Sequence, residues 1–233
     1  MLKIKILTIF PEAFTSYFRT SIIKRAQEKK LVKIEVYNLR DWAKDRHKTV
    51  DDKPYGGGPG MILKADIIYQ AIKKIKSRSK KKKVVLLTPA GKIFNQKIAS
   101  RFSKLDEIIL ICGHYEGTDA RVEKFVDEEI SLGPYILTGG EIPAMIITDA
   151  VTRLIKGAIK PESLEEESEL SAFAKGYGGS TEGGKIINEY PQYTRPRVFT
   201  IKNRFGKIKK LEVPKVLLSG NHAKIKEWRR KHQ

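Results

Sequence analysis

Apolar runs of strand length recur along this chain, and each is separated from the next by a helical pattern or a long connector. Residues 3–10 alternate, with Ile4, Ile6 and Thr8 on one face. Leu31–Tyr37 alternates again, while Val84–Thr88 and Glu107–Cys112 are short, nearly continuous apolar runs, as in strands buried on both faces. Between them the spacing predicts a helix opening at Pro11-Glu12 and running to about Lys30, with Phe14, Phe18 and Ile22 near helical spacing. Further helices are expected over Ala65–Lys76, Ile93–Ser103, Glu141–Lys156 and, at the end of the chain, His222–His232. Strand and helix in alternation specify an α/β fold on a mostly parallel sheet. Ligands on such sheets sit beyond the carboxyl ends of the strands, so the loops after Leu87 and Cys112 are the first places for a site.

With 233 residues, 40% of them hydrophobic, the chain can bury a sizeable core and carry a small appendage. The expected division is an α/β domain over 1–158, a linker over 159–190 and a small, mainly helical C-terminal domain over 191–233. The linker is inferred from glutamates crowded into 162–169, then Gly-rich polar sequence without a period. Forty-six Lys and Arg against 27 Asp and Glu leave a formal charge of +19. A surface this basic repels itself unless a polyanion binds it, and nucleic acid is the first candidate. No apolar stretch reaches the roughly 18 residues of a membrane span. The N-terminus alternates and lacks the continuous apolar core of a signal peptide. The single cysteine, Cys112, cannot form an internal disulfide, which fits a reducing, cytoplasmic compartment.

Several constellations could carry chemistry. Thr88-Pro89-Ala90-Gly91 ends a strand in a sharp turn, and alone it reads as an ordinary strand-to-helix connection. In Cys112-Gly113-His114-Tyr115-Glu116-Gly117 two glycines bracket a polar triplet after a buried strand; a plain turn and a close ligand approach fit it equally well. His114 has no partner at metal-ligand spacing. Ser131–Glu141, apolar in the middle and Gly-rich at its end, could wrap a nucleoside through backbone groups, or be a tightly turned piece of core. The long loop from Asn38 to Leu63 carries Asp45-Arg46-His47 and Tyr55-Gly56-Gly57-Gly58-Pro59-Gly60. It has no Lys-Ser or Lys-Thr after its glycines, so a P-loop fails. No Gly-x-Gly-x-x-Gly follows a strand, so a dinucleotide fingerprint fails too. A structureless loop of this length points to function. Arg153 and Glu165-Glu166-Glu167 each read, alone, as solvated charge.

Taken together, five ordered motifs carry a resemblance. Asp51-Asp52-x-Pro54-Tyr55-Gly56-Gly57-Gly58-Pro59-Gly60-Met61, Cys112-Gly113-x-Tyr115-Glu116-Gly117, Gly139-Gly140-Glu141-x-Pro143-Ala144-Met145, Tyr193-Thr194-Arg195-Pro196 and Leu217-Leu218-Ser219-Gly220-Asn221-His222 resemble bacterial tRNA (guanine-N1)-methyltransferase, from the first strand to the last helix. The resemblance implies a sheet threaded as a deep trefoil knot, a homodimer with its active site at the subunit interface, and S-adenosylmethionine as methyl donor. The implied target is N1 of the guanine immediately 3′ of the anticodon in tRNA. The donor site would comprise Leu87, Thr88 and Pro89; Gly113, Tyr115, Glu116 and Gly117; Leu132, Gly133, Pro134, Tyr135, Ile136, Leu137, Gly139 and Gly140; and Pro143. Arg46, His47, Asp51, Tyr55, Pro59 and Gly60, with Tyr193, Arg195, Ser219, Asn221 and His222, would bind tRNA. Arg153 would stabilise charge on guanine O6. The family's base is an aspartate of the partner subunit in a Glu-Asp-Ser-Phe type segment. Here that segment reads Glu165-Glu166-Glu167-Ser168-Glu169-Leu170, so Glu167 takes its place and Glu169 is the second candidate. The extra methylene displaces the carboxylate by about one carbon–carbon bond. The family also brings in Mg²⁺ as an auxiliary ion, although the sequence shows no metal site.

Two other readings compete. The missing aspartate suggests a basic tRNA-binding protein of the same fold without catalysis, against which the intact donor loops argue. The charge alone suggests a membrane-surface protein, but the C-terminal helix has only Ile225 and Trp228 as large apolar residues.

Overall fold

The alternating apolar runs assemble into a five-stranded sheet in which every neighbouring pair is parallel. The computed structural model describes residues 1–159, 190–202 and 206–232. Its strands in order across the sheet are β2 (Val32–Asn38), β1 (Leu2–Thr8), β6 (Glu107–Cys112), β5 (Lys82–Ile93) and β7 (Glu128–Ser131). β6 is buried at every position because it lies at the centre with both faces covered. Ile108, Leu110 and Cys112 point into one core, with Leu2, Ile4 and Ile6 of β1 and Val85 and Leu87 of β5. α2 (Ser21–Glu28), α4 (Gln96–Phe102) and α5 (Glu141–Arg153) contribute to that core. Ile109 and Ile111 point the other way, into a second core with Leu7, Val84, Leu86 and the buried face of α3 (Ala65–Ile75). Each fully buried Ile or Leu contributes roughly 1.5–3 kcal/mol against exposure.

One ion pair is buried between the central strands: Lys5 Nζ lies 2.7 Å from Glu107 Oε2. Glu107 Oε1 also accepts from Ser77 N at 2.8 Å, and Lys5 donates to Ile75 O. These bonds tie the end of α3 to the amino ends of β1 and β6.

The structure departs from the sequence reading at several places. The helix from Pro11 to Lys30 is three pieces: a 3₁₀ turn over Pro11–Phe14, a single turn α1 (Thr15–Phe18), and α2. The break at Arg19-Thr20 lets the stacked rings of Phe14 and Phe18 and the later Ile23 and Ala26 reach the same core. Gln27 Nε2 donates to the Phe18 carbonyl at 2.8 Å. The strand expected at Val84–Thr88 starts earlier and continues to Ile93, rather than turning into a helix at Pro89. Between Gly117 and Ser131, where the sequence reading assigns no element, the chain forms β7 and a 3₁₀ turn over Ala120–Lys124. The Asn38–Leu63 loop includes a 3₁₀ turn over Leu39–Trp42 and a short ladder of β3 (Asp51–Asp52) with β4 (Ile62–Leu63).

The chain divides into compact units at Met1–Glu165 and Glu166–Gln233. The described part of the second unit holds an antiparallel hairpin, β8 (Val198–Lys202) with β9 (Ile208–Glu212), and the helix α6 (His222–Lys231). A mainly helical tail is what the sequence leads one to expect; strand and helix are mixed instead. The hairpin escapes a periodicity reading because Phe199, Ile201 and Ile208 are all exposed, so no buried face imposes alternation. Trp228 packs against Tyr193 at 6.1 Å between ring centroids and stacks on His232 at 4.1 Å. Glu162–Glu169, including Glu167 and Glu169, and the Gly176–Ile187 stretch lie outside the described residues.

Candidate active site

Three loops at the carboxyl ends of β5, β6 and β7 meet around one cavity of about 300 Å³. The first loop interrupts β5. Leu87 and Lys92 both pair with Ile130 of β7, so Thr88–Gly91 leave the ladder and the chain returns to the same register point. Gly91 is required at the return: a β-carbon there would lie 2.6 Å from the Glu129 carbonyl carbon. Leu87, Thr88 and Pro89 line the cavity.

The second loop follows β6. Tyr115 adopts a left-handed φ of 58° and Gly117 a φ of 113°, and Gly117 N donates back to His114 O at 3.0 Å. Gly113, Tyr115, Glu116 and Gly117 all line the cavity. The third loop joins β7 to α5 and supplies Leu132, Tyr135, Ile136, Leu137, Gly139 and Gly140, with Pro143 from the first turn of α5. Gly133 and Pro134 do not line the cavity: they form the outer bend, where Gly133 N bonds Ser131 Oγ at 3.2 Å. Ile136 is 88% exposed, which leaves this loop's tip bare.

The second and third loops are stitched together. Gly140 N donates to Gly113 O at 2.8 Å, and His114 pairs with Gly139 across an isolated bridge. Behind that bridge Thr8 Oγ1 donates to Glu141 Oε1 at 2.7 Å, and Glu141 Oε2 lies 3.7 Å from His114 Nδ1. A β-carbon on Gly139 would fall between the Glu141 carboxylate and the His114 ring, closer to both than contact allows. Burial pushes the Cys112 thiol well above its ordinary range, with the Glu141 carboxylate adding to the effect, so this cysteine is no nucleophile.

His114, Thr118, Ile130, Ser131 and Thr138 also line the cavity and were not picked out as site residues from the sequence. His114, Ser131 and Thr138 lie inside segments already singled out, whereas Thr118 and Ile130 sit one residue outside them.

The long loop docks on the second loop through its backbone. Glu116 N donates to Met61 O at 3.1 Å, Leu63 N to Gly117 O at 3.0 Å, and Asp119 N to Leu63 O at 3.0 Å. This brings Gly60 against the Glu116 side chain. Asp51 sits in the β3–β4 ladder, while Pro59, Arg46 and His47 are exposed and Tyr55 is fully bare. The Asp119 carboxyl is pulled down to about 2, chiefly by the Arg121 side chain forked onto it.

Arg153 is not at the cavity. It ends α5, about 18 Å along the helix axis from Glu141. In the second unit, Asn221 Oδ1 caps α6 by accepting from Lys224 N at 3.1 Å, and Ser219 Oγ donates to Val216 O at 2.7 Å. Both thus have local structural roles. Tyr193, Arg195 and His222 are exposed. Among the described residues no cluster of three His, Cys, Asp or Glu side chains converges where Mg²⁺ could sit, and no helix is long and apolar enough to cross a membrane.

A doubly wound parallel sheet with a cavity of backbone-rich loops beyond its strand ends places this chain among α/β proteins that take a small ligand at the carboxyl edge. Sequence comparison narrows the class. The chain belongs to the tRNA (guanine-1)-methyltransferase family, described as TrmD, which it matches across residues 2–233. It is 51% identical over 232 residues to the tRNA (guanine-N(1)-)-methyltransferase of Dictyoglomus turgidum, covering 99% of this chain and 84% of that protein. Its identity to the protein of that name from Caldicellulosiruptor saccharolyticus is 48%, covering 97% and 83%. For that of Citrifermentans bemidjiense the identity is 46%, covering 100% and 85%.

Proposed function

We propose that this enzyme transfers a methyl group from S-adenosylmethionine to N1 of the guanine immediately 3′ of the anticodon, position 37, in tRNA. The observation that carries the reading is the cavity: three loops, chosen from the sequence alone, surround one space near the lower end of ligand-pocket sizes. Its walls suit a nucleoside. Leu87, Leu132, Ile136 and Leu137 offer apolar surface, and the glycines at 113, 139 and 140 leave backbone groups close to the ligand space. S-adenosylmethionine, held there, supplies a sulfonium methyl open to attack. A protein that only bound RNA would have no use for this cavity, which counts against the non-catalytic reading.

Guanine N1 carries a proton, so a base must take it as the methyl bond forms. We assign that base to Glu167 and the stabilisation of charge on O6 to Arg153. The 18 Å or so between the start of α5 and Arg153 is a reason to place the reacting base at the interface of a homodimer. There one protomer's loops would meet the other's Arg153 and Glu167. The loop connections would form a trefoil knot. A C-terminal domain over 191–233, after a linker over 159–190, would grip tRNA through Tyr193, Arg195 and His222, and the long loop beside Glu116 would do so through Arg46, His47, Asp51, Tyr55, Pro59 and Gly60.

The test is incubation of the full chain with methyl-labelled S-adenosylmethionine and unmodified tRNA bearing guanines at positions 36 and 37. Label at N1 of guanine 37 is expected, and its absence with well-folded protein overturns the reading. Glu167→Gln should lower turnover by about 10²–10⁴ while S-adenosylhomocysteine still binds. If Glu169→Gln does so instead, the base is two residues further on.

A further inference from the structure

A second, strongly charged surface lies at the other edge of the sheet. In a parallel sheet all strand amino ends and all covering-helix carboxyl ends share one edge. Here that edge carries the link from α3 to β5. Residues 73–83 contain Lys73, Lys74, Lys76, Arg78, Lys80, Lys81, Lys82 and Lys83, and no acid. Lys73, Lys74, Lys76, Arg78, Lys80 and Lys81 are exposed, and none forms an ion pair among the described residues. Four acids bond to this segment or its end, and none forms an ion pair with those six cations. Glu107 is buried against Lys5, Asp106 accepts from Ser79 Oγ at 2.7 Å, and Asp127 and Glu128 face Lys83 at 3.9 and 3.7 Å.

The connector itself is held in shape. Ser77 N donates to Glu107 Oε1 at 2.8 Å, Lys81 N to Ser79 Oγ at 3.0 Å, and Asp106 N to Lys81 O at 2.8 Å. Its cations are therefore displayed from a hydrogen-bonded frame, which lowers the entropy cost of meeting a partner. Lysines at a helix carboxyl end also complement the helix dipole. That accounts for Lys73 and Lys74 but not for Arg78, Lys80 and Lys81, which lie beyond α3.

We propose that the α3–β5 edge is a phosphate-binding surface that holds the tRNA backbone at a point remote from the methylated base. Six exposed cations without an ion pair among the described residues match a polyanion and oppose burial against an identical surface, where like charge would meet like. Residues 76–83 hold Lys and Arg and no aromatic side chain, which suits phosphate contacts that position an RNA without reading its sequence. The inference rests on tRNA being the substrate. It adds an anchoring point outside both the donor cavity and the C-terminal unit.

The experiment measures tRNA binding by the full chain across a salt series. Lys80→Glu/Lys81→Glu is compared with Lys24→Glu/Lys97→Glu, which makes the same change in net charge on the helices of the opposite face. The connector variant should bind more weakly, with its log–log salt slope shallower by about 1 to 2. The control should keep a slope close to wild type, and both should take up S-adenosylhomocysteine normally. Equal slopes in the two variants overturn the proposal, because the effect is then net charge alone. Salt-dependent tRNA binding by wild type with an unchanged connector variant overturns this surface but not the tRNA reading; no tRNA binding by wild type overturns both. Loss of binding to phosphatidylserine vesicles in the connector variant, with tRNA binding intact, would assign the edge to a membrane instead.

Discussion

Gly140→Ala isolates the contact that joins the second and third loops. Gly140 has an ordinary φ of −82°, so alanine there meets no backbone strain. Its β-carbon would instead lie 2.6 Å from Cys112 Cα and 2.9 Å from Gly113 N. Carbon atoms in contact sit roughly 3.5–4.0 Å apart, so the loops must part by about 1 Å. The bond that yields is Gly140 N to Gly113 O, now 2.8 Å, and the amino end of α5 moves with it. Overpacking of this kind costs about 1–3 kcal/mol, and the lower unfolded-state entropy of alanine returns about 0.4–1 kcal/mol. A net loss near 1.5 kcal/mol corresponds to a fall in Tm of about 3–6 °C for a chain of this size. The displaced loops line the cavity, so affinity for S-adenosylhomocysteine should fall by more than tenfold, which is about 1.4 kcal/mol. Differential scanning calorimetry and isothermal titration of the purified variant read the two effects. If Tm and affinity both match wild type, the close approach of α5 to β6 is not what shapes the cavity.

Two further outcomes follow from the same geometry. Cys112 should resist iodoacetamide at pH 8 in the native protein and react on unfolding, because burial and Glu141 hold its thiol protonated; rapid labelling of the folded chain would mean that the base of the second loop is open. Asp119 has a folded pKa of about 2, below its ordinary value of 3.8, so its contribution to stability is present above pH 4 and lost as pH falls towards 2. Asp119→Asn should therefore flatten part of the acid side of a Tm-against-pH curve. The change should be small, because Arg121 is solvent-exposed; an unaltered curve would show that the fork onto Arg121 is screened out.

Local patterning made much of the sheet legible. Glu107–Cys112 is the strand expected, with the expected ends, because a run apolar on both faces has no other stable place than a sheet centre. β7 was not visible. Its four residues, Glu128-Glu129-Ile130-Ser131, include two acids and one apolar side chain, and they become a strand only through their partner β5. The break in the Pro11–Glu28 helices was hidden for a related reason, since both halves have helical spacing and only the shared core demands the turn between them.

The site divides along the same line. The chain's own letters picked out three glycine-bearing segments, because glycine after a buried strand is a local signal, but left open whether each was a plain turn or a ligand loop; only the family resemblance named them as donor loops. Whether those segments meet, what each glycine is for, and where Arg153 falls are questions of distance between residues far apart in the chain. Packing alone answered them: it set Gly140 against Cys112, Gly139 between Glu141 and His114, and Arg153 a full helix length from the cavity. Periodicity records which face of an element avoids water, but it carries no information on which backbone will press against which, and the close contacts that build this cavity are of the second kind.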